Sequence, residues 1–364
     1  MQSLNEKTWE KFDVFGEAGF LRIASTNSSI DSIRLKEGKE KTVPYITRSD
    51  AGNGITRFVS KDNYEDGSND AGCITVGLDT QTAFYQPHKF VTGQNIQVVT
   101  GDLLNEDSAH FYVTILKNQM EAKFNWGGNG ATLGRMKRLE AMLPTTASGK
   151  PDYDYMADFM RQKRKVMQTK YSVYVEKRID DLGTAVDIPA LNEKEWKPVS
   201  ITAVFKLVRG REGNMAMLKD GDIPLISAKN ANNGLKGFVN TPKKTITGHC
   251  ITLNNDGDGG AGLAYYQPAD MALDTHVTAL IPNDTMSEWS MIFIAKCVSE
   301  LHGFFGHGLS ISNKRAEKIK IMLPVNDAGK PDFGYMEQYV KNMLLKKYKQ
   351  YAAFLDAKKD MAQA

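Results

Sequence analysis

The residues best able to do chemistry in this 364-residue chain are few and scattered. Asn255-Asp256-Gly257-Asp258-Gly259-Gly260 sets carboxylates among turn glycines, as a calcium loop does. It lacks the later bidentate Glu of such loops, and the related stretch Leu78-Asp79-Thr80-Gln81-Thr82-Ala83 has another pattern, so a turn is the favoured reading. His302 and His307 bracket a Gly-Phe-Phe-Gly run, but a spacing of five does not put two imidazoles on one helical face. Gly127-Gly128-Asn129-Gly130 can nest a phosphate on its backbone amides, although a plain flexible loop is the simpler account. Basic pairs, Lys137-Arg138 and Lys314-Arg315, offer cationic donors to phosphates or base edges. No G-x-x-x-x-G-K-[ST], no G-x-G-x-x-G between a strand and a helix, no Asn-Pro-Pro-Tyr/Phe, no H-E-x-x-H and no G-x-S-x-G occurs. Nucleotide, S-adenosylmethionine, zinc-protease and serine-hydrolase chemistry thus lack their usual marks. A magnesium nuclease needs only two or three spaced acids and a lysine, and no convincing cluster of that kind stands out.

Composition narrows the class. Lys and Arg number 46 against 43 Asp and Glu, a net charge of +3, which excludes a polybasic arm but not local basic patches. Cys73, Cys250 and Cys297 are an odd, widely spaced set, which excludes a disulfide scaffold and a CxxC zinc site. The N-terminal MQSLNEKTWEKF is too polar for a secretory signal, and no segment is apolar enough to span a membrane. A soluble, cytoplasmic protein of about two domains is expected from this length.

Repetition dominates the chain. Pro44-Tyr45-Ile46-Thr47 returns as Pro224-Leu225-Ile226-Ser227, Asn53-Gly54-Ile55 as Asn233-Gly234-Leu235, and Phe58-Val59 as Phe238-Val239, all at an offset of 180. Phe84-Tyr85-Gln86-Pro87 returns as Tyr265-Tyr266-Gln267-Pro268 at 181. LPTTASGKPDYDYM at 143–156 returns as LPVNDAGKPDFGYM at 323–336, keeping 8 of 14 residues. Trp9 and Trp196 open the two halves. A period this long means two duplicated domains rather than a solenoid of short repeats.

Each copy begins with short strands and turns. TVPYIT and GITRFV carry β-branched and aromatic residues between Gly, Asn and Asp. CITVGLDTQTAFYQP predicts two strands around a turn, and CITLNNDGDGGAGLAYYQP the same with a looser loop. HFYVTILKNQ and SMIFIAKCVSE, free of Gly and Pro, predict helices packed on the sheet. Each copy then ends in a long helix announced by Gly-Lys-Pro-Asp, whose Asp152 or Asp332 can serve as the N-cap. Met156, Phe159, Met160, Met167, Tyr171, Tyr174 and Ile179 form an apolar stripe on the first helix. Met336, Tyr339, Val340, Met343, Leu344, Tyr351 and Leu355 form one on the second, and the simplest partner for each stripe is the other helix. The basic residues between stripe positions, such as Arg161, Lys163, Arg164, Lys346 and Lys347, read as a solvated face. The expected class is α+β. Its divisions are a β-rich domain at 1–152, a helix at 153–182, a linker at 183–195, a second domain at 196–332 and a second helix at 333–364.

The order Pro-Tyr-Ile-Thr, Asn-Gly-Ile, Phe-Tyr-Gln-Pro, a Trp-Gly or Phe-Gly loop, Leu-Pro and a long helix, in duplicate, resembles the DNA-specificity subunits of restriction-modification systems. The likeness is to type I subunits and to those of BcgI-like type IIB enzymes, and it covers almost the whole chain. It implies two target-recognition domains, each reading half of a bipartite double-stranded DNA sequence. It implies long helices paired as an antiparallel coiled coil that spaces the domains and docks methyltransferase/endonuclease subunits. S-adenosylmethionine and Mg²⁺ would then belong to those partners, with no cofactor, metal or catalytic residue in this chain.

Duplication sharpens the search for base readers. Residues common to both copies must serve the shared scaffold, and residues that differ must carry different half-sites. Asn53 and Asn233 therefore read as turn formers, and Phe-Tyr-Gln-Pro as packing, with DNA contact by Gln86 and Gln267 as the alternative. The candidate DNA-binding residues are Arg48, Arg57, Lys61, Arg135, Lys137 and Arg138 in the first copy. In the second they are Lys229, Lys236, Lys243, Lys244, Lys314 and Arg315. Two rival readings stand beside this one: a self-contained nuclease with a sparse metal site, and a β-rich module for another ligand such as glycan, using Tyr265-Tyr266 as a platform.

Overall fold

The computed structural model describes residues 3–124, 130–257, 260–306 and 308–363. The chain divides into two compact units, Met1–Tyr171 and Ser172–Ala364. The first carries β1 (Trp9–Asp13), β2 (Arg22–Ser25), β3 (Lys41–Ile46), β4 (Ile55–Ser60), β5 (Cys73–Gly77), β6 (Thr82–Gln86), β7 (Val91–Thr92), β8 (Ile96–Thr100), α1 (Glu106–Lys123), α2 (Leu133–Met136), β9 (Glu140–Pro144) and the start of α3 (Tyr153–Leu182). The second carries β10 (Trp196–Ser200), α4 (Ile201–Val204), β11 (Phe205–Arg209), β12 (Asp220–Ile226), β13 (Leu235–Val239), β14 (Thr245–Ile246), β15 (Cys250–Asn254), β16 (Ala264–Gln267), β17 (Met271–Leu273), β18 (Val277–Pro282), α5 (Glu288–Ser299), α6 (Asn313–Ala316), β19 (Lys320–Pro324) and α7 (Phe333–Gln363).

The two units repeat one topology. A sheet of order β2-β8-β5-β6 reappears as β11-β18-β15-β16, and β4-β3-β7 as β13-β12-β17 with β14 added at the edge. The parallel pairs β3·β7 and β12·β17 occupy the same place in each. Antiparallel β1·β9 and β10·β19 set Trp9 opposite Pro144 and Trp196 opposite Pro324. The two apolar runs do form helices, α1 and α5, which close one face of each larger sheet and bury Tyr112, Leu116 and Met120, or Met291, Ile294 and Val298. The tryptophans have a shared task. Trp9 stacks on Phe111 at 6.4 Å and Trp196 on Phe293 at 6.0 Å, and each indole N–H donates to a backbone carbonyl, that of Leu4 or Leu191. Phe159 and Tyr339, in the first turns of the long helices, meet the same Phe111 and Phe293 edge-on.

The junction motif works as expected at both sites. Gly149 and Gly329 take left-handed φ of 72° and 71° in the turn that reverses the chain after β9 and β19. Asp152 Oδ1 accepts from the Tyr155 amide and Asp332 Oδ1 from the Tyr335 amide, both at 3.0 Å. The second oxygen of each takes a lysine, Lys7 at 2.6 Å or Lys194 at 2.8 Å, and that ammonium lies over the ring of Tyr155 or Tyr335. Burial works to raise the pKa of these carboxyls. The lysine bonds and the amides outweigh it and hold both below the usual aspartate value. A carboxyl that binds its proton more weakly folded than unfolded contributes stability above the ordinary aspartate pKa and loses it as pH falls through the lower folded value. Asp332→Ala should therefore cost about 1 to 2 kcal/mol at neutral pH, and the gap between variant and parent should close in acid. Thermal melts at pH 7 and pH 3 check this, and a gap that widens in acid would contradict it.

The long-helix stripes are covered unevenly along their length. Their feet are buried against their own units, with Met156, Met336 and Val340 in the cores and Phe159, Met160 and Tyr339 packed on them. Higher up, Met167 is 65% exposed and Met343 41%, and Tyr174 and Tyr351 are also exposed. Further along, Ile179, Leu344 and Tyr348 pack on the second unit's core and the Tyr174 ring meets Tyr348 at 6.5 Å, so each stripe passes through covered and exposed stretches that periodicity does not separate.

Candidate nucleic-acid interface

Strand register brings equivalent residues of the two units into line. Val76 pairs with Gln97 and Leu253 with Thr278, so Gln97 corresponds to Thr278 and the preceding turns carry Asn95 and His276 at one position. By the same ladders Gly77 corresponds to Asn254, and Asp79 to Asp256. In the first unit Asp79 Oδ2 accepts from Arg48 at 2.5 Å and from Asn95 Nδ2 at 3.3 Å. In the second Asp256 accepts from His276 Nδ1 at 2.9 Å, and Ala228 stands where the first unit has Arg48. An aspartate is thus common to both turns, and what it holds differs.

The aspartate of the second unit borders a cleft of about 450 Å³ lined by Ser227, Lys229, Asp256, His276 and Ser310, among others. Lys229 is exposed, and its carbonyl accepts from Asn254 Nδ2 at 2.9 Å and from the Tyr265 hydroxyl at 3.3 Å. Lys236 is exposed on β13, and Lys243 and Lys244 are exposed in a loop whose amides donate to the buried Glu212 at 2.7 and 3.3 Å. In the first unit Arg57 lies on β4 with its guanidinium 6.0 Å from the Tyr45 ring, and Lys61 opens a short 3₁₀ turn. Lys137 and Arg138 are exposed just after α2. The candidates therefore do not converge on one point in either unit; Arg48 in the first and Lys229 in the second lie beside the matched aspartates.

Arg135 and Arg315 have a common structural use. Each donates to the carbonyl five residues back, Gly130 or Ser310, at 2.6 Å, and each backbone amide donates to the cap hydroxyl, Thr132 or Ser312, at 3.3 Å. The counterpart of Arg315 is thus Arg135, not Arg138, and the counterpart of Lys314 is Gly134. The two basic pairs are therefore not equivalent: Lys314 and Arg315 lie within α6, whereas Lys137 and Arg138 follow α2. Lys314 remains exposed and specific to the second unit.

The two glutamines are scaffold. Gln86 is 2% exposed and Gln267 7%. Gln86 Nε2 donates to the Asn53 carbonyl and Thr75 Oγ1, and Gln267 Nε2 to the Asn233 carbonyl and Thr252 Oγ1. They brace turns in which Asn53 and Asn233 adopt φ of 60° and 50°, so a DNA contact by either glutamine is excluded by burial.

The other chemical candidates dissolve into structure. Burial pushes the thiols of Cys73, Cys250 and Cys297 up to about 12, which removes them as nucleophiles near neutrality. His302 Nδ1 bonds the Ala261 carbonyl at 2.9 Å, and His307 lies outside the described residues. Asn125–Asn129, with most of the Gly127–Gly130 run, and Asp258–Gly259 of the calcium-like stretch also lie outside them. Among the described residues no group of His, Cys, Asp and Glu is placed to hold a metal, and no helix is long and apolar enough to cross a membrane. Tyr265 and Tyr266 spend their hydroxyls internally, on the Lys229 carbonyl and His249 Nδ1. Sequence reasoning set Asp79 against Asp256 only in weighing a metal loop, and missed what the two aspartates hold and the pair Asn95/His276. The offset between copies falls to 177 at Cys73/Cys250 and returns to 181 at Tyr85/Tyr266, which hides both correspondences from a fixed period of 180.

Comparison with known proteins agrees with the duplicated fold. The type I restriction modification DNA specificity domain matches residues 10–173 and again residues 193–353. The chain is similar to the specificity subunit of the type II restriction enzyme BcgI from Heyndrickxia coagulans, at 24% identity over 318 residues, 86% of this chain and 89% of that one. Solved structures similar to it include the S subunit of a type I restriction-modification system from M. genitalium (15% identity, 99% of this chain and 96% of that one, TM-score 0.46) and the HsdS subunit from Thermoanaerobacter tengcongensis (13%, 96% and 94%, TM-score 0.30).

Proposed function

Because the chain belongs to the type I restriction modification DNA specificity domain family, with one match in each unit, we propose that it is the sequence-specific DNA-binding subunit of a multi-subunit restriction-modification enzyme. Each unit reads one half of a bipartite duplex target. The observation that carries this reading is a common framework bearing unlike residues at like surface positions: Arg48 against Ala228, Asn95 against His276, Gly134 against Lys314. A protein that reads two different half-sites with one fold needs that combination. Among the basic candidates, Arg48 and Lys229 fit base-edge contact best because they lie beside the matched aspartates Asp79 and Asp256, and Lys314 joins them as the exposed cation of a short helix whose counterpart position holds Gly134. Arg57, Lys61, Lys137, Arg138, Lys236, Lys243 and Lys244 suit grip on the phosphates. Arg135 and Arg315 shape the loops that present them.

Methyl transfer and cleavage belong to partner methyltransferase/endonuclease subunits, which bring S-adenosylmethionine and Mg²⁺; a DNA ligand supports a cytoplasmic location for the assembly. The domain division follows the long helices, with recognition domains at 1–152 and 196–332. Within the second unit the Tyr174 ring meets Tyr348 at 6.5 Å and Leu182 shares a cluster with Leu345, which supports pairing of the two helices as an antiparallel coiled coil; apolar residues left exposed along α3 (Val166, Met167, Val173) and α7 (Met343, Tyr351, Phe354) support docking of the partners on them. Each unit also has the same apolar groove at the foot of its helix, lined by Trp9, Met142 and Phe159 in one and by Trp196, Met322 and Tyr339 in the other.

The test is binding of the full chain to duplex libraries in which each half of the target is randomised in turn. Lys314→Ala should relax discrimination in one half only, by about 1 to 3 kcal/mol at the contacted base pair. Incubated with S-adenosylmethionine, Mg²⁺ and target DNA but without partners, the purified chain should neither methylate nor cleave. Turnover by the isolated chain, or equal loss of discrimination in both halves, would overturn the reading.

A further inference from the structure

We infer that Asn95 and His276 are equivalent specificity-determining residues, each presented to a base pair of its own half-site by the aspartate common to both units, Asp79 or Asp256; this rests on the DNA-specificity reading above. Residues that both copies keep for the scaffold are buried or bonded inward, as Gln86/Gln267 and Asp152/Asp332 are. Asn95 and His276 break that rule. They occupy one position in the turn before β8 and β18, they are exposed, and they differ in hydrogen-bonding character. The His276 side chain is 54% exposed while Asp256 is only 26% exposed, so the carboxylate forms the floor and the imidazole the reaching group.

The backbone beneath each is held in place. The Asn255 amide donates to the His276 carbonyl at 2.9 Å, and the His276 amide donates to Asp274 Oδ1 at 3.1 Å. Asn95 takes a left-handed φ of 60°, a conformation that asparagine tolerates better than most residues. A side chain on such a turn loses little further freedom on meeting a ligand.

The anchoring bond also dictates what each residue has left to offer. The Nδ1 edge of the His276 ring is taken by Asp256, so Nε2 is the nitrogen turned outward, an acceptor when Nδ1 carries the ring's one hydrogen. A lone acceptor suits cytosine, whose major-groove edge offers the N4 amino group alone, rather than adenine, whose N7 beside N6 calls for a donor as well. Asn95 gives one Nδ2 hydrogen to Asp79. The carbonyl oxygen and the second amide hydrogen form the donor–acceptor pair complementary to the N6/N7 edge of adenine. One carboxylate thus supports two different readouts. Arg48 in the first unit adds a cation on the same aspartate, and Lys229 in the second adds one beside the cleft.

The experiment is selection of bound duplexes from the half-randomised libraries by the full chain, parent against His276→Asn, Asn95→His and Asp256→Ala. His276→Asn should move the preference at a single base pair of the second unit's half-site toward adenine, by about 5- to 150-fold, the range a bidentate contact confers. Asn95→His should do the reciprocal in the first unit's half only. Asp256→Ala should weaken preference at the base pair that His276→Asn changes, and retained selection in the first unit's half reports that this variant is folded and bound. A parent chain with no preference in either half overturns the function reading itself. A selective parent whose His276→Asn and Asn95→His profiles are unchanged, or are weakened alike for every sequence with a flatter salt dependence, overturns this inference and leaves the function reading standing.

Discussion

Replacing Met336 with aspartate is expected to unfold the second unit, at a cost above about 4 kcal/mol. Met336 is fully buried, one turn into α7, in the cluster that contains Ile294, Ile321, Leu323 and Val340. A carboxylate there loses its hydration, finds no cation in an apolar cluster and removes the packing of the thioether. Met156→Asp should do the same to the first unit, where Met156 packs with Phe111, Leu116 and Leu143. Met343→Asp is the informative contrast. Met343 is substantially exposed, beside the groove at the foot of its helix, so the new charge stays in water and the melt should fall far less. Its effect should appear in partner assembly. Denaturant titration by circular dichroism of the three variants decides the matter. A Met336→Asp chain with the parent's midpoint would show that the foot of α7 is not packed as described.

Gln267→Leu is expected to lower stability by about 2 to 3 kcal/mol, the cost of leaving buried polar groups unpaired. Leucine nearly preserves the volume but removes both N–H donors, so the Asn233 carbonyl loses its donor and the Thr252 hydroxyl keeps only its bond to the Tyr265 carbonyl. The turn they brace already holds Asn233 and Gly234 at positive φ, so its geometry has little reserve. Gln86→Leu should behave alike in the first unit through Asn53 and Thr75. A midpoint shift of roughly 2 to 4 °C per kcal/mol is expected for a unit of this size. The base preference of whatever protein remains folded should be unchanged, because a buried amide does not reach a groove. Selection of a different base pair by a Gln267→Leu chain of normal stability would show that the glutamine reads DNA.

Much of this protein was legible locally. The repeat, the strands around Asn-Gly turns, the helices without Gly or Pro and the Asp caps all rest on interactions within a few residues, and those leave marks in order and spacing. The negative chemical reading also came from motif alone, since nucleotide and metal sites need fixed spacings that the chain lacks. Less was legible where one residue type serves two environments. Met156 and Met167 lie on one apolar stripe, yet one is buried and the other faces solvent, because burial depends on what reaches the helix from elsewhere in the chain. Arg135 and Arg138 likewise look interchangeable as cations, and only the bond to the Gly130 carbonyl separates a loop clamp from a free donor.

What the sequence determined by itself was the duplicated α+β framework, the long helices and the absence of familiar catalytic spacings. What only the tertiary structure decided was correspondence at the site. Loops of unequal length before and after β5 shift the two copies out of step, so Asp79 and Asp256, or Asn95 and His276, do not line up at the chain's main period. They line up through ladder hydrogen bonds between strands distant in sequence, which conserve register in space while insertions are absorbed in the turns.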